Sequence, residues 1–210
     1  MKVSKTYPKY LTNHSKFFYS VSASEFEKLN TTHRRLPDGT LDIVINLGGP
    51  VMVSRDGVSF SEMSPAVLTG LHQDRNFLRY KGEVDFIGAV FQPGSAHLFV
   101  NDNLEHYKSC SIEASLIFGN DTNLLVDQLK YLSCEKERHN LLELFLFKNL
   151  KNKNNKNGFS KVPGIVQSIH SSEGNIEISE VHKKYFMSER TLRRTFSECV
   201  GRAQNNTHQL

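Results

Sequence analysis

The side chains best suited to chemistry lie toward the C-terminal end: Arg190, Arg193 and Arg194, with Lys183 and Lys184 a few residues upstream. A guanidinium carries five donors in a planar fork, which suits phosphate oxygens and the O6/N7 edge of guanine; an ammonium suits phosphate alone. What matters is how these cations are presented. Ser188 is placed to cap a helix, because its hydroxyl can accept the N–H two or three residues on that the first turn leaves unpaired. Leu192, Phe196 and Cys199 then recur at i, i+4 and i+7 and form one apolar stripe. The three arginines fall outside that stripe, on a side that a DNA major groove could receive. Gly201 stands in the usual C′ position. With the short helical pattern that starts at Ile178, this is the layout of a helix-turn-helix, with Ser188 as cap and candidate phosphate contact and Lys183 and Lys184 as candidate backbone contacts.

Other residues that could do chemistry have simpler structural readings. The β-rich region holds His33, His72 and His97 far apart, without the close His pair a metal needs, so no metal or cofactor is expected. Asp38 and Asp42 flank a Pro-Asp-Gly turn signal in which Asp bonds its own backbone and Gly supplies positive φ; Pro93-Gly94 reads the same way. No nucleophile elbow, P-loop or dinucleotide fingerprint occurs, and no enzyme is expected. Cys110, Cys134 and Cys199 are an odd number at wide spacing and read as buried or inert thiols.

The elements that would position the cations follow from periodicity. Residues 1 to about 118 read as β structure, with short runs at Leu41–Leu47, Val51–Ser54, Ala66–Thr69, Phe77–Tyr80 and Val84–Phe91. Turn residues at Pro37-Asp38-Gly39, Gly48-Gly49-Pro50 and Arg55-Asp56-Gly57 separate them, which predicts a sandwich or small barrel. From about 119 the period changes. Leu125, Leu129 and Leu132 fall on one helical face, and Leu141, Leu142, Phe145 and Leu146 on another, so residues 119–150 predict a helical hairpin. Its apolar stripe reads as core packed on the barrel, with part of it open as a seam between two copies in a homodimer. Lys151-Asn-Lys-Asn-Asn-Lys-Asn-Gly158 reads as a polar linker over 151–161. A helix starting near Pro163, with Ile165, Val166 and Ile169 inward, would brace the helix-turn-helix in a unit over 162–210.

Charge follows the same division. Residues 151–210 hold ten Lys/Arg against five Glu, whereas residues 1–150 hold 16 basic and 17 acidic residues. A basic end on a neutral body fits a polyanion-binding module carried by another domain. No apolar run of about 18 residues exists and the N-terminus lacks a signal-peptide core, so a cytoplasmic protein with no membrane span is expected.

The stretch Ser188-x-Arg190-x-Leu192-x-Arg194-x-Phe196, closing at Gly201, resembles the first helix-turn-helix of the AraC/XylS transcription regulators over roughly residues 162–201. His182 departs from that pattern, standing where the family usually packs a small residue, which predicts looser packing or an outward imidazole. The family's DNA-binding domain has two such units. The polar tail Arg202–Leu210 lacks the apolar periodicity of a second one, so a shortened C-terminal domain is expected. Arg35–Gly49 and Phe86–Ser95 resemble motifs of the uncharacterised cupin-like sensor domains found ahead of such units, and Leu142-Glu-Leu-Phe-Leu146 is a weaker echo. The resemblance implies an α+β chain: a cupin-like jelly roll with the helical hairpin over 1–150, then the helix-turn-helix. It also implies a regulator that joins double-stranded DNA to an unknown small-molecule effector. A stand-alone cupin-like ligand-binding or regulatory protein, or a cupin enzyme, would be the alternative.

Overall fold

The computed structural model describes residues 2–23, 33–35, 41–69, 76–100, 104, 111–151, 159–173 and 175–200. The turn expected at Pro37-Asp38-Gly39, His72, Cys110, most of the linker, Gly201 and the tail fall outside the described residues.

Among the described residues, ten strands form two antiparallel sheets. They are β1 (Lys2–Thr6), β2 (Ser15–Ala23), β3 (His33–Arg35), β4 (Asp42–Asn46), β5 (Val51–Ser54), β6 (Ser61–Glu62), β7 (Ala66–Thr69), β8 (Asn76–Tyr80), β9 (Val84–Phe91) and β10 (Ser111–Glu113). One sheet runs β1-β2-β9-β4-β7-β10 and the other β3-β8-β5-β6. Without the flanking β1 and β10, the orders β2-β9-β4-β7 and β3-β8-β5-β6 are those of an eight-stranded jelly roll, two Greek keys folded face to face. The chain is α+β, as expected.

Strand β4 explains why Leu41–Leu47 reads as a continuous apolar run instead of an alternating one. All five residues of β4 are buried, because the larger sheet is covered on both faces. Ile43 and Ile45 join Phe18, Leu68, Ile87 and Phe91 in a core shared with the helices. Val44, between them in sequence, joins Val51, Val67, Val84 and Phe86, with Val53, Leu78 and Tyr80 of the smaller sheet packed against them. Gly88 of β9 leaves the space through which Tyr19 reaches across the sheet: its hydroxyl donates to Asp42 Oδ2 at 2.9 Å. Thr69 donates to the other oxygen of Asp42. The turn at Arg55-Asp56-Gly57 forms as expected, with Gly57 at φ +78°. Asp56 Oδ1 there accepts from Ser54 and from the N–H of Val58 and Ser59, which hold the carboxyl below its usual range.

The helical hairpin consists of α2 (Asp121–Tyr131) and α3 (Glu135–Lys148), preceded by the single turn α1 (Ser115–Phe118). Leu125, Leu129, Leu142, Phe145 and Leu146 are buried, as the spacing predicts. Helix α3 also carries a polar stripe, Glu135, His139 and Glu143, each one turn from the next. Glu135 pairs with Lys2 at 2.7 Å. The ring of His139 bonds Thr6 Oγ1 at 2.9 Å and Ser20 Oγ at 2.8 Å. Buried Glu143 accepts from the N–H groups of Lys9, Tyr10 and Leu11 at 2.7, 2.6 and 3.0 Å. The N-terminal segment is thus fastened along one side of α3. Arg138 fixes the hairpin elsewhere, bonding Asp85 on β9 at 2.9 Å and the Leu129 and Leu132 carbonyls that end α2.

Three further helices, α4 (Val162–Ser171), α5 (Ile178–Tyr185) and α6 (Glu189–Val200), enclose a separate core. Val162, Ile165, Val166, Ile169, Val181, Met187, Leu192, Phe196 and Cys199 compose it.

Candidate nucleic-acid interface

Helix α6 is built as the residue pattern requires. Leu192, Phe196 and Cys199 are fully buried against α4 and α5, while Arg190, Arg193 and Arg194 are exposed. The hydroxyl of Ser188 accepts the Thr191 N–H at 3.3 Å, three residues into the helix, and lies 2.8 Å from the Thr191 hydroxyl. That is the N-cap bond expected, and it fixes where α6 begins. Arg193 meets Glu189, one turn back, at 2.7 Å. Both side chains are about half exposed, so water and salt screen the pair and a phosphate could replace Glu189 at little expense. Among the described residues, Arg190 and Arg194 form no ion pair or side-chain hydrogen bond.

The turn before α6 is tight. Phe186 adopts the left-handed conformation at φ 50°, ψ 51° and donates its N–H to the His182 carbonyl, ending α5. Its ring is 89 % exposed, so the residue serves the turn through its backbone alone. His182 is half-buried, and its Nε2 is buried without a hydrogen-bond partner. The imidazole therefore sits in the helix packing, not turned out to solvent. Thr195, on the inward side of α6, likewise has a buried hydroxyl without a partner.

The two lysines part company. Both are exposed, but Lys184 turns toward α4, with its Nζ 3.0 Å from Ser168 Oγ and 5.6 Å from the centre of the Tyr185 ring. Lys161 Nζ donates to the Tyr185 carbonyl at 2.7 Å, closing the C-terminal end of α5.

Other candidates take structural places. Asp42 is buried between Tyr19 and Thr69. His97 is buried, with its Nδ1 2.6 Å from the Gly94 carbonyl. Cys199 lies in the core of the helical unit and Cys134 is exposed. Among the described residues no three His, Cys, Asp or Glu side chains gather as a metal site would need, and no helix is long and apolar enough to cross a membrane. Sequence reasoning did not single out Glu143 or His139: on an amphipathic helix a polar residue in every turn reads as solvated, and only the fold brings the N-terminal segment onto them.

Fold and site together define a jelly-roll domain followed by a helix-turn-helix with a basic outer face. Residues 8–113 match the model of a domain of unknown function, DUF6597, and the chain belongs to that family. No curated protein sequence matches it. Among solved structures, the AraC-like transcriptional activator CuxR is 14 % identical at a TM-score of 0.30, covering 86 % of this chain and 67 % of its own. ToxT from Vibrio cholerae is 8 % identical at a TM-score of 0.40, covering 100 % of this chain and 75 % of its own. Both likenesses are remote.

Proposed function

We propose that this chain is a DNA-binding transcription regulator of the AraC/XylS type, with a unit over residues 162–210 that engages the major groove through α6. The observation that carries this reading is the two-sided build of that helix. It is capped by Ser188, held down by Leu192, Phe196 and Cys199, and free to present Arg190, Arg193 and Arg194. Arg190 and Arg194 would read base edges or phosphates, Arg193 would exchange Glu189 for a phosphate, and Ser188 and Lys183 would meet the backbone. The excess of cations after residue 150 favours the same partner.

In this reading residues 1–150 form the sensor or assembly domain, joined through a linker at 151–161. A small effector or a second copy of the chain would favour one disposition of the helix-turn-helix units and so change operator affinity. Arg190, Arg193, Arg194 and Lys183 offer few contacts to a duplex, so the dissociation constant expected of residues 1–210 is about 10⁻⁴–10⁻⁶ M in physiological salt. Fluorescence anisotropy of labelled duplexes tests this. Four phosphate-neutralising cations predict a log–log salt slope of about −3.6. Changing Arg190, Arg193 and Arg194 together to Gln should weaken binding at least about tenfold. Undetectable binding at low salt, or equal binding by the triple variant, overturns the proposal.

A further inference from the structure

Between α4 and α5 runs a groove of about 410 Å³ that the arginine face of α6 does not use. Gly164, Ser168 and Ser171 line it along one side of α4 with Gln167 beside them, and α5 contributes Lys184 and Tyr185. Among the described residues, no carboxylate lines it.

The hydrogen bonds in the groove have a fixed direction. The Tyr185 hydroxyl lies 2.6 Å from the Gly164 carbonyl, which can only accept, so the phenol donates there. Ser168 Oγ, 2.7 Å from that phenol oxygen, must then donate to it. The serine oxygen is left as an acceptor, and Lys184 Nζ fills that role at 3.0 Å. A relay ending on a backbone carbonyl therefore pins an ammonium that would otherwise swing on a flexible stem. Lys184 has spent one of its three N–H donors on a neutral oxygen, and among the described residues it forms no ion pair. A pinned cation with two donors left, beside the neutral donors of Gln167 and Ser171, matches an oxyanion.

We propose that the α4–α5 groove binds the phosphate or carboxylate group of a small molecule, with Lys184 as its cation. The inference does not rest on the DNA reading, and it removes Lys184 from the candidate duplex contacts. Inorganic phosphate and acetate, titrated at constant ionic strength into the ¹⁵N-labelled full chain, provide the test. At least one of the two should give saturable amide shifts in residues 164–172 and 184–185 at a concentration on the order of 1 mM. Lys184→Met, which keeps the apolar stem, should weaken that binding about tenfold, and Ser168→Ala, which releases the pin, should weaken it severalfold. Duplex affinity of Lys184→Met should stay within about twofold of the parent. The proposal is overturned if neither anion gives a saturable shift or if Lys184→Met binds as well as the parent. It is equally overturned if that variant loses duplex affinity and one unit of salt slope, which would assign the ammonium to the DNA backbone. Failure of the duplex to bind at all would count against the regulator reading and leave the anion titration standing.

Discussion

Replacing Glu143 with alanine takes the acceptor away from three successive backbone N–H groups, those of Lys9, Tyr10 and Leu11. The carboxylate is 3 % exposed and Leu11 fully buried, so water cannot reach the Leu11 amide once its partner is gone. A buried donor left unpaired costs about 1–3 kcal/mol, and a hydrogen bond to a charged acceptor is worth about 1.5–3 kcal/mol. Lys9 and Tyr10 are exposed residues whose N–H groups can turn to water, so their two bonds count for less. The expected loss for Glu143→Ala is about 3–5 kcal/mol. Glutamine keeps a carbonyl oxygen where Oε1 stands and gives up only the charge, so Glu143→Gln should lose about 1–2 kcal/mol. Urea unfolding followed by circular dichroism measures both. With an m-value of about 2 kcal/mol per M, the alanine variant's midpoint falls by about 2 M and the glutamine variant's by less than about 1 M. A loss below about 1 kcal/mol for alanine, or equal losses for the two, would show that the carboxylate does not fasten the N-terminal segment.

Phe186 holds a left-handed conformation with its ring in solvent, so Phe186→Gly should raise the stability of the helix-turn-helix unit by about 0.5–1 kcal/mol in thermal unfolding; a loss would mean that the ring packs after all. At Gly88 an added Cβ would meet both the Tyr19 ring and, at 2.6 Å, the Ile43 carbonyl. Gly88→Ala should therefore cost at least about 2–3 kcal/mol, and trimming Tyr19 to leucine should not restore it, because the carbonyl cannot move away. Burial holds the His139 imidazole below its ordinary value, outweighing the raising effects of the Tyr19 backbone and Glu135. The unfolded chain therefore binds the extra proton first, and stability falls as pH drops below about 6.5 toward the depressed value. His139→Gln should flatten that fall by up to about 1.4 kcal/mol per pH unit, leaving a smaller slope from His14, which burial shifts the same way. An unchanged slope would remove His139 from the account.

Much of this fold is legible in the residues because local pattern and burial agree. Strands are expected over 41–47, 51–54, 66–69, 77–80 and 84–91, and β4, β5, β7, β8 and β9 occupy those stretches within a residue or so. The hairpin helices and α4 begin and end close to where leucine spacing and Pro163 put them. The N-terminal strands are harder to read. In β2, buried Phe18 and Ser20 alternate with partly buried Phe17, Tyr19 and Val21, so an apolar side chain on both faces hides the period of two. The polar stripe of α3 is hidden for a different reason. Its partners, Lys2, Thr6 and residues 9–11, are more than 130 positions away, and no local pattern encodes so distant a contact. The arginine face of α6 was legible because one short segment carries cap, stripe and cations together. The bond from Lys184 to Ser168 was not, because it depends on how α5 lies against α4.

Whether that arginine face meets DNA is most directly tested by amide-resolved NMR of the ¹⁵N-labelled full chain as a duplex is added. The largest perturbations should fall at Ser188 and over Glu189–Arg194, with a smaller one at Lys183 and little change in β4 or β9. Perturbations confined to the jelly roll, with α6 unmoved while the duplex is bound, would contradict that contact.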